Sequence, residues 1–364
     1  MDVSLRSLLA KTVELNASDL HICSGELPSM RIRGQIQRLN HEQLSAAQVF
    51  RFADELMTET QRSELSEKLS VDFSFELQGR ARFRANIYRQ ANGLSLALRR
   101  IPAKVMTLRD IKAPPILTKI SNYRRGLVLV TGPTGSGKST TLAAMIDYIN
   151  QNFAKHIITI EDPIEYEFQD NLCFIEQREV GLDTESFQSA LKHVLRQDPD
   201  IIMVGEMRDK FSFEAALQAA DTGHLVMTTL HSSNASQTIN RILDFYDKSE
   251  QDSIREALAI NLRAIISQRL IPKAFGEGRV PGNEIMVNTP IITKLLMENR
   301  LDKLHNAIAA GAQDGMMTFN QRLLDLVNAG QITEEDAMEY SDNVEQLKMN
   351  FQGIFLGSDK GIVG

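Results

Sequence analysis

The sequence predicts an α/β protein with two domains and a helical carboxyl-terminal region. A chain of 364 residues is longer than one hydrophobic core usually organises, since domains average roughly 150 residues. Its second half alternates unbroken apolar runs with helical segments, which is typical of a parallel sheet covered by helices on both faces. Pro102, Pro114 and Pro115 punctuate residues 101–122 and indicate the boundary between the two domains.

Composition and charge exclude several classes of protein. The content of 43% apolar and 24% charged residues is that of a globular protein, which excludes a disordered or fibrous chain. The net charge of −7 gives no overall attraction to nucleic acid, although a local basic groove that binds nucleic acid remains an alternative. Because Cys23 and Cys173 are the two cysteines of the sequence, a disulfide framework and a four-cysteine zinc site are excluded, and a reducing compartment is indicated.

The amino terminus lacks the features of a secretion signal. Residues 1–15 place acidic residues on both sides of a short leucine-rich stretch, without a basic start or a long apolar core. Nowhere does the sequence approach the roughly 18 consecutive apolar residues of a spanning helix. We therefore expect a cytoplasmic protein with no transmembrane segment.

The first hundred residues predict a small α/β domain. Apolar residues recur at helical spacing behind Ser4, a good helix cap, so the chain opens with a helix. Two short apolar segments flank Gly34-Gln35 and predict a hairpin, while the spacing over residues 49–56 predicts a second helix. Alternation over residues 71–77 then predicts a half-buried strand.

The next two predicted strands carry arginines on one face. In residues 80–87 the odd positions are apolar, so the pleat places the arginines at even positions together on the opposite face. After a turn at residues 90–93, leucines point inward and Arg99 points outward. The predicted basic face consists of Arg80, Arg82, Arg84 and Arg99. Arginines that solvate an exposed sheet face are the favoured explanation of this pattern, unless another part of the chain binds an anion that needs a cation.

Beyond the proline-rich segment, the predicted strands are continuous apolar runs. They lie at residues 127–130, 157–160, 201–204 and 225–230. From about Thr289 the periodicity is helical only, with breaks near Gly311 and Gly330. The predicted organisation is an amino-terminal domain (1–103), a linker (104–122), a second domain (123–288), a helical region (289–352) and a flexible tail (353–364).

A phosphate-binding motif connects the first of these strands to a helix. Residues 132–140 fit the pattern GxxxxGK[ST], directly after the strand at 127–130 and opening a helix at 139–150. The glycines let backbone N–H groups turn toward a polyphosphate at the helix amino terminus. We expect Lys138 to reach the β- and γ-phosphates and Ser139 to ligate Mg²⁺. The predicted nucleotide-binding residues are Gly132, Pro133, Thr134, Gly135, Ser136, Gly137, Lys138, Ser139 and Thr140.

Hydrolysis of a nucleoside triphosphate also needs carboxylates near the metal and the attacking water. The strand at 201–204 runs into Gly205-Glu206, so Glu206 is the candidate to activate water. The strand at 157–160 delivers a second cluster, Glu161, Asp162 and Glu165. From this cluster we take Glu165 as the candidate for catalysis and for Mg²⁺. A solvated acidic loop remains the alternative for each of these carboxylates.

Two histidines bracket another apolar strand. His224 precedes residues 225–230 and His231 follows them, and an imidazole at such a place suits sensing of a γ-phosphate or proton transfer. His224 is our candidate catalytic residue of the pair, with a satisfied polar residue as the alternative. The strand separates the two rings too far for them to share a metal ion.

Taken together, these segments resemble the secretion-type ATPase superfamily and, within it, the PilT/PilU family of type IV pilus retraction ATPases. The segments that carry the resemblance lie at 132–140, 160–165, 204–209 and 222–235, with further matches at 17–22, 177–181 and 315–319. The resemblance thus covers nearly the whole chain.

The resemblance implies a PAS-like first domain and a RecA-like P-loop second domain that binds ATP and Mg²⁺. The segments beginning at Gly132, Glu161, Gly205 and His224 correspond to the Walker A, Asp-box, Walker B and His-box elements, and Glu206 to the catalytic glutamate. The family forms hexamers in which the first domain of one subunit packs on the second domain of another. Arg84 and Arg99 best match the arginines that then reach the triphosphate, which favours the anion-binding explanation of the basic face.

The implied activity is that of a motor that removes pilin from a pilus base, with an inner-membrane platform protein as partner. The PilT branch carries an Ala-Ile-Arg-Asn-Leu-Ile motif where this chain has residues 290–297, Pro-Ile-Ile-Thr-Lys-Leu-Leu-Met, so its Arg-Asn pair is missing. This departure favours a PilU-like accessory motor that depends on a second retraction ATPase. A secretion or conjugation motor is the further alternative, but extension and secretion ATPases usually carry paired CxxC elements, which two cysteines cannot form.

Overall fold

The computed structural model describes residues 4–32, 34–77, 79, 81–101 and 105–354. It divides into two compact units, residues 1–104 with 165–167 and residues 105–164 with 168–364. Each unit has its own hydrophobic core. Of the residues used in the sequence analysis, Arg80, Pro102 and residues 355–364 of the predicted tail lie outside the described residues.

The first unit is an antiparallel sheet with three helices. Its elements are α1 (Leu5–Glu14), β1 (Asp19–Cys23), β2 (Ser29–Ile32), β3 (Gln35–Arg38), α2 (Ala46–Leu56), α3 (Glu59–Lys68), β4 (Ser70–Leu77), β5 (Ala81–Gln90) and β6 (Gly93–Arg100). The strand order over the described residues is β3-β2-β1-β6-β5-β4. Ser4 caps α1, as predicted, and accepts a hydrogen bond from the Ser7 N–H at 3.2 Å. The predicted hairpin is confirmed as the antiparallel pair β2 and β3.

Helix α3 is not predicted from the sequence. Its capping box, formed by Thr58 and Gln61, is a normal start signal, but Leu65 is the one buried side chain reported along it. A helix with so narrow an apolar face lacks the periodicity by which helices are recognised in a sequence.

The second unit contains a mixed sheet between helices. Its elements up to the end of the sheet are α4 (Ile116–Ser121), β7 (Gly126–Thr131), α5 (Lys138–Asn152), β8 (His156–Glu161), β9 (Phe174–Glu179), α6 (Phe187–Val194), β10 (Ile201–Val204), α7 (Lys210–Asp221), β11 (Leu225–Leu230), α8 (Ala235–Leu243), α9 (Gln251–Asn261), β12 (Leu262–Pro272) and β13 (Arg279–Val287). Across the described residues the strand order is β13-β12-β7-β11-β10-β8-β9. All neighbours are parallel except β12 and β13.

The strands predicted from continuous apolar runs are the centre of this sheet. β7, β10 and β11 are buried along their whole length, as expected for parallel strands covered on both faces. Residues 105–122, for which the sequence predicts a linker, include α4, and its Leu117 and Ile120 lie in the core of the second unit.

Beyond the sheet, the described residues form helices, which confirms the predicted helical region. They are α10 (Pro290–Met297), α11 (Leu304–Ala310), α12 (Phe319–Asn328), α13 (Glu334–Glu339) and α14 (Val344–Phe351), with short 3₁₀ helices at Leu301–Lys303 and Ala312–Asp314. The mixed α/β fold with a helical carboxyl-terminal region is therefore as predicted. Among the residues that the structure describes, no helix is long and apolar enough to cross a membrane.

Candidate phosphate-binding and catalytic site

The phosphate-binding loop connects the carboxyl end of β7 to α5. Gly132, Gly135 and Gly137 have φ angles of +149°, +77° and +86°, which residues with a side chain rarely adopt. A Cβ on Gly132 would lie 2.3 Å from the Gln268 carbonyl oxygen. Helix α5 begins at Lys138 without a side-chain cap, so its first N–H groups suit an anionic ligand. These features fit a polyphosphate.

Lys138 lies against this loop and is 8% exposed. Its Nζ donates to the carbonyl oxygens of Gly132 and Pro133, at 3.0 and 3.2 Å, and lies 3.5 Å from Nδ1 of His231. The ammonium group therefore lies at the loop. The buried Oγ of Ser136 has no hydrogen-bond partner among the described residues, which is a further polar group of the loop that a ligand could satisfy.

Glu206 follows β10 at the same edge of the sheet. Its Oε1 lies 3.0 Å from Nε2 of His231, and its Oε2 accepts hydrogen bonds from Nε and Nη2 of Arg208, at 3.1 and 3.0 Å. The preceding Gly205 is fixed on both sides, since its N–H donates to the Ile160 carbonyl at 2.8 Å and its own carbonyl accepts from Thr229 Oγ1 at 2.7 Å. His231 thus connects Glu206 to Lys138.

The histidine at this site is His231, whereas the candidate chosen from the sequence was His224. Register pairs Leu225 with Gly126 and Leu230 with Thr131, so His224 lies at the amino end of β11, roughly 20 Å from the loop at about 3.3 Å per residue. His224 Nδ1 lies 3.0 Å from the Ala219 carbonyl oxygen. Within one subunit the structure therefore does not bring His224 to the phosphate-binding loop, because parallel strands place their two ends at opposite edges of the sheet.

The three carboxylates of the acidic cluster after β8 lie in three different environments. Glu161 is 6% exposed, and its Oε1 accepts from Thr159 Oγ1 and Gln177 Nε2 at 2.7 and 3.2 Å. Asp162 lies 3.7 Å from Nη1 of Arg208, so the same arginine contacts both Asp162 and Glu206. Glu165 is exposed in the loop between β8 and β9, in the short segment 165–167 that groups with the first unit.

Magnesium has no preformed cage of protein ligands in the part of the chain that the structure describes, where no group of three or more His, Cys, Asp or Glu side chains could hold a metal ion. At nucleotide sites, phosphates and water supply most ligands of Mg²⁺. Ser139 is half-buried in the first turn of α5. The assignment of Ser139 and Glu165 to Mg²⁺ stays a prediction.

Two arginines of the predicted basic face lie on neighbouring strands of the first unit. Arg84 and Arg99 are directly opposite each other on β5 and β6, and their side chains are 46% and 70% exposed. Asp19, which is 5% exposed, accepts a hydrogen bond from Arg99 Nε at 2.7 Å. Burial raises the pKa of Asp19, but the hydrogen bond from Ser18 and the Arg99 guanidinium outweigh that effect and hold the pKa below its usual value.

Three further residues belong to the site: His231, which the sequence offers beside His224, and Arg208 and Gln268, which are not among the candidates from the sequence. His231 was recognised as one end of an apolar strand, but only the parallel register decides which end faces the loop. Arg208 could have been identified from its position, because it places a cation two residues after the candidate base Glu206. Gln268 is a buried amide on strand β12, and a buried polar residue needs a hydrogen-bond partner.

Comparison with known proteins finds similar sequences over almost the full length of the chain. A family model described as type II/IV secretion system protein matches residues 2–352. The chain is 45% identical to the type IV pilus retraction ATPase PilT of Pseudomonas aeruginosa over 339 residues, 93% of this chain and 98% of that protein. It is 40% identical to the type IV pilus ATPase PilU of the same organism over 357 residues, 98% of this chain and 93% of that protein.

A solved structure shares the fold over almost the full length. The crystal structure of the pilus retraction motor PilT with bound ADP superposes with a TM-score of 0.89 at 43% sequence identity, and the match covers 95% of this chain and 99% of that one.

Proposed function

Because the chain belongs to the family of type II/IV secretion system proteins, we propose that it is a hexameric ATPase motor that powers type IV pilus retraction and hence twitching motility. ATP hydrolysis is coupled to the removal of pilin subunits from the pilus base. The similarity to the retraction ATPase PilT over 93% of this chain supports the proposal, as does the bound ADP of the similar PilT crystal structure.

The observation that carries the proposal is the chain of contacts from Lys138 through His231 to Glu206. It brings a cation, an imidazole and a carboxylate to the loop at one edge of the sheet. The lysine and the carboxylate suit transfer of a phosphoryl group to water, since the reaction depends on neutralisation of developing charge and on positioning of the water.

Each residue of the site has its own role in the proposed reaction. Lys138 exchanges its hydrogen bonds to loop carbonyls for bonds to phosphate oxygens, which are stronger acceptors because they are charged. Glu206 orients the attacking water and accepts its proton, while Arg208 and His231 hold the carboxylate in place. Mg²⁺, when bound, neutralises charge on the β- and γ-phosphates, with Ser139 and Glu165 as its proposed protein ligands.

The proposed hexamer completes the site. Arg84 and Arg99 of one subunit reach the triphosphate of a neighbour, and closure of the domains around ATP and Mg²⁺ brings them there. Their exposure and their position on one face of the first unit leave them accessible for an anion. Loss of the γ-phosphate then relaxes the contact between subunits, which is the motor step.

The motor acts in the cytoplasm, at the inner face of the cell membrane, on a platform protein of the pilus. Nucleic acid is not its substrate, in keeping with the net charge of −7. A PilU-like accessory motor that works beside a second retraction ATPase is the other candidate. It is favoured by Thr293 and Lys294, which stand where the PilT branch carries Arg-Asn.

Replacement of the proposed base tests the function. Purified Glu206→Gln protein should lose ATP turnover by at least about 100-fold, the usual contribution of a general base, while its affinity for ATP stays within about threefold. In cells, the same substitution should abolish twitching if the protein is the main motor. If it is an accessory motor, twitching should be lost only under a load that the second retraction ATPase cannot drive unaided.

The chain offers a matched control at the opposite edge of the sheet. Glu176 lies 3.0 Å from Nε2 of His156, the same kind of carboxylate–imidazole contact as at Glu206. Glu176→Gln should keep normal turnover. Normal turnover in Glu206→Gln, or equal losses in the two variants, would contradict the assignment.

A further inference from the structure

We propose that Gln268 is a positioning residue that holds the phosphate-binding loop in its anion-binding shape. The inference rests on the proposed function, because it concerns the same nucleotide site. Gln268 lies on β12, outside all the motifs that the sequence analysis connects with nucleotide, and it is 3% exposed.

The carboxamide of Gln268 connects three parts of the second unit. Its Nε2 donates to the Ser136 carbonyl oxygen in the loop at 2.7 Å. Its Oε1 accepts from Thr141 Oγ1, in the first turn of α5, at 2.8 Å and from Asn283 Nδ2 on β13 at 3.1 Å. One side chain thus fixes both the loop and the helix that follows it to the hairpin of β12 and β13.

Gln268 also lies against two of the three loop glycines. Its backbone oxygen occupies the space that a Cβ on Gly132 would need, at 2.3 Å, and its Nε2 would lie 2.8 Å from a Cβ on Gly137. Both the start and the end of the loop therefore pack directly on Gln268. A substitution of Gln268 should affect the loop directly and not through a third residue.

The hydrogen bond to Ser136 fixes the direction of a neighbouring donor. Because a trans peptide is planar, the carbonyl of Ser136 and the N–H of Gly137 point in opposite directions. When the carbonyl is held toward Gln268, the N–H of Gly137 therefore points away from Gln268. That N–H lies at the amino terminus of α5, where an anion binds. Gln268 acts through the loop and does not itself touch a phosphate.

The requirements at this position are specific to an amide. The side chain of Gln268 donates one hydrogen bond and accepts two, and a neutral amide supplies both a donor and an acceptor. A glutamate of the same shape still accepts from Thr141 and Asn283, but it places a carboxylate oxygen against the Ser136 carbonyl. The peptide between Ser136 and Gly137 is then expected to rotate, so that its N–H no longer faces the ligand.

The test measures nucleotide binding and kinetics in Gln268→Glu with ADP and ATP as probes. The Kd for ADP and the KM for ATP should each rise about tenfold, while kcat should change by less than about threefold, because binding is lost equally in the ground and transition states. A merely structural role would lower the melting temperature and leave KM unchanged.

Asn320 supplies the matched control. It is 4% exposed, its Nδ2 donates to the Asn343 carbonyl at 2.8 Å and its Oδ1 accepts from Ser341 Oγ at 2.7 Å. Asn320→Asp therefore makes the same chemical change at a buried amide of the helical region. It should lower the melting temperature without changing nucleotide affinity.

A second variant keeps the inference testable if Gln268→Glu does not fold. Thr141→Val removes one hydrogen bond from the helix side and leaves Gln268 in place, so a smaller rise in the Kd for ADP, about threefold, is expected. Unchanged Kd and KM in the folded variants would overturn the inference and leave the proposed function intact. Failure of the unsubstituted protein to bind ADP would overturn both.

Discussion

At the scale of single residues, the composition of the site depends on which polar side chains follow the carboxyl ends of the parallel strands. Glu206 and His231 both follow strands whose carboxyl ends meet at the loop, so their side chains meet as well. The resulting contact at 3.0 Å orients the carboxylate, and the imidazole also lies near Lys138. His224, which also brackets β11, lies at the far edge of the sheet, where its Nδ1 is 3.0 Å from the carbonyl oxygen of Ala219 in α7.

The two histidines therefore give a direct comparison. His231→Gln should lower kcat for ATP by about 10- to 100-fold, because the Glu206 carboxylate loses an orienting partner. His224→Gln should lower it by less than about threefold. Steady-state turnover of the two purified variants, with melting temperatures to verify folding, is the measurement. A larger loss for His224 than for His231 would show that His224 reaches a site in some other subunit.

At the scale of secondary-structure elements, the edge hairpin β12–β13 supports the loop and the start of α8. Glu284 on β13 is 3% exposed, and its Oε1 accepts from the Ala235 N–H at 2.8 Å, at the amino terminus of α8. Burial raises the pKa of Glu284 to about 7, with Asp342 adding to the rise and the Ala235 N–H and Arg269 opposing it. The carboxyl group is therefore protonated in the folded protein at mildly acidic pH.

This shift predicts a pH dependence of stability with a definite sign. Between the ordinary pKa of 4.5 and about 7 the folded state holds a proton that the unfolded state has lost. The free energy of unfolding falls as pH rises through this range, by about 3 kcal/mol, and is level above it.

Glu284→Gln keeps the acceptor for Ala235 and removes the titration. It should flatten the slope between pH 5 and 7 and raise the stability at pH 8 by about 3 kcal/mol, as measured by urea unfolding. Glu335→Gln, at an exposed position of α13, should leave the slope unchanged. An equally steep slope in Glu284→Gln would assign the titration to another group.

At the scale of the whole molecule, the two units supply different parts of the proposed reaction. The second unit carries the loop, Lys138 and Glu206, while the first presents Arg84 and Arg99. In a ring of identical subunits, each interface is heterologous, so that one surface of a subunit meets a different surface of the next. The proposed division of the site between subunits would make hydrolysis depend on assembly.

Mixed hexamers test whether an arginine serves its own subunit or a neighbour. Arg84→Gln and Glu206→Gln should each be inactive as pure proteins. When they are mixed one to one before assembly, about a quarter of the interfaces pair an intact arginine with an intact glutamate. About a quarter of normal ATPase activity should therefore return. No return of activity would indicate that Arg84 acts on the nucleotide of its own subunit, or not at all.

Local patterns in the sequence were sufficient for much of the fold. The apolar runs at 127–130 and 225–230 became β7 and β11, because continuous burial needs an unbroken apolar segment. Elements with weak local patterns, such as α3 with its single reported buried residue, could not be recognised. β12 was missed for a related reason, since Arg263, Gln268 and Arg269 interrupt its apolar residues and are explained only by distant partners.

The sequence by itself determined the mixed α/β class, the phosphate-binding loop and the position of Glu206 after a strand, because each is written in a short contiguous segment. The tertiary structure decided that His231 and not His224 lies at the loop, that Arg208 contacts both Asp162 and Glu206, and that Gln268 supports the loop from 132 residues away along the chain. These contacts depend on strand order and register, which arise from packing of the whole sheet and are not specified by any local pattern.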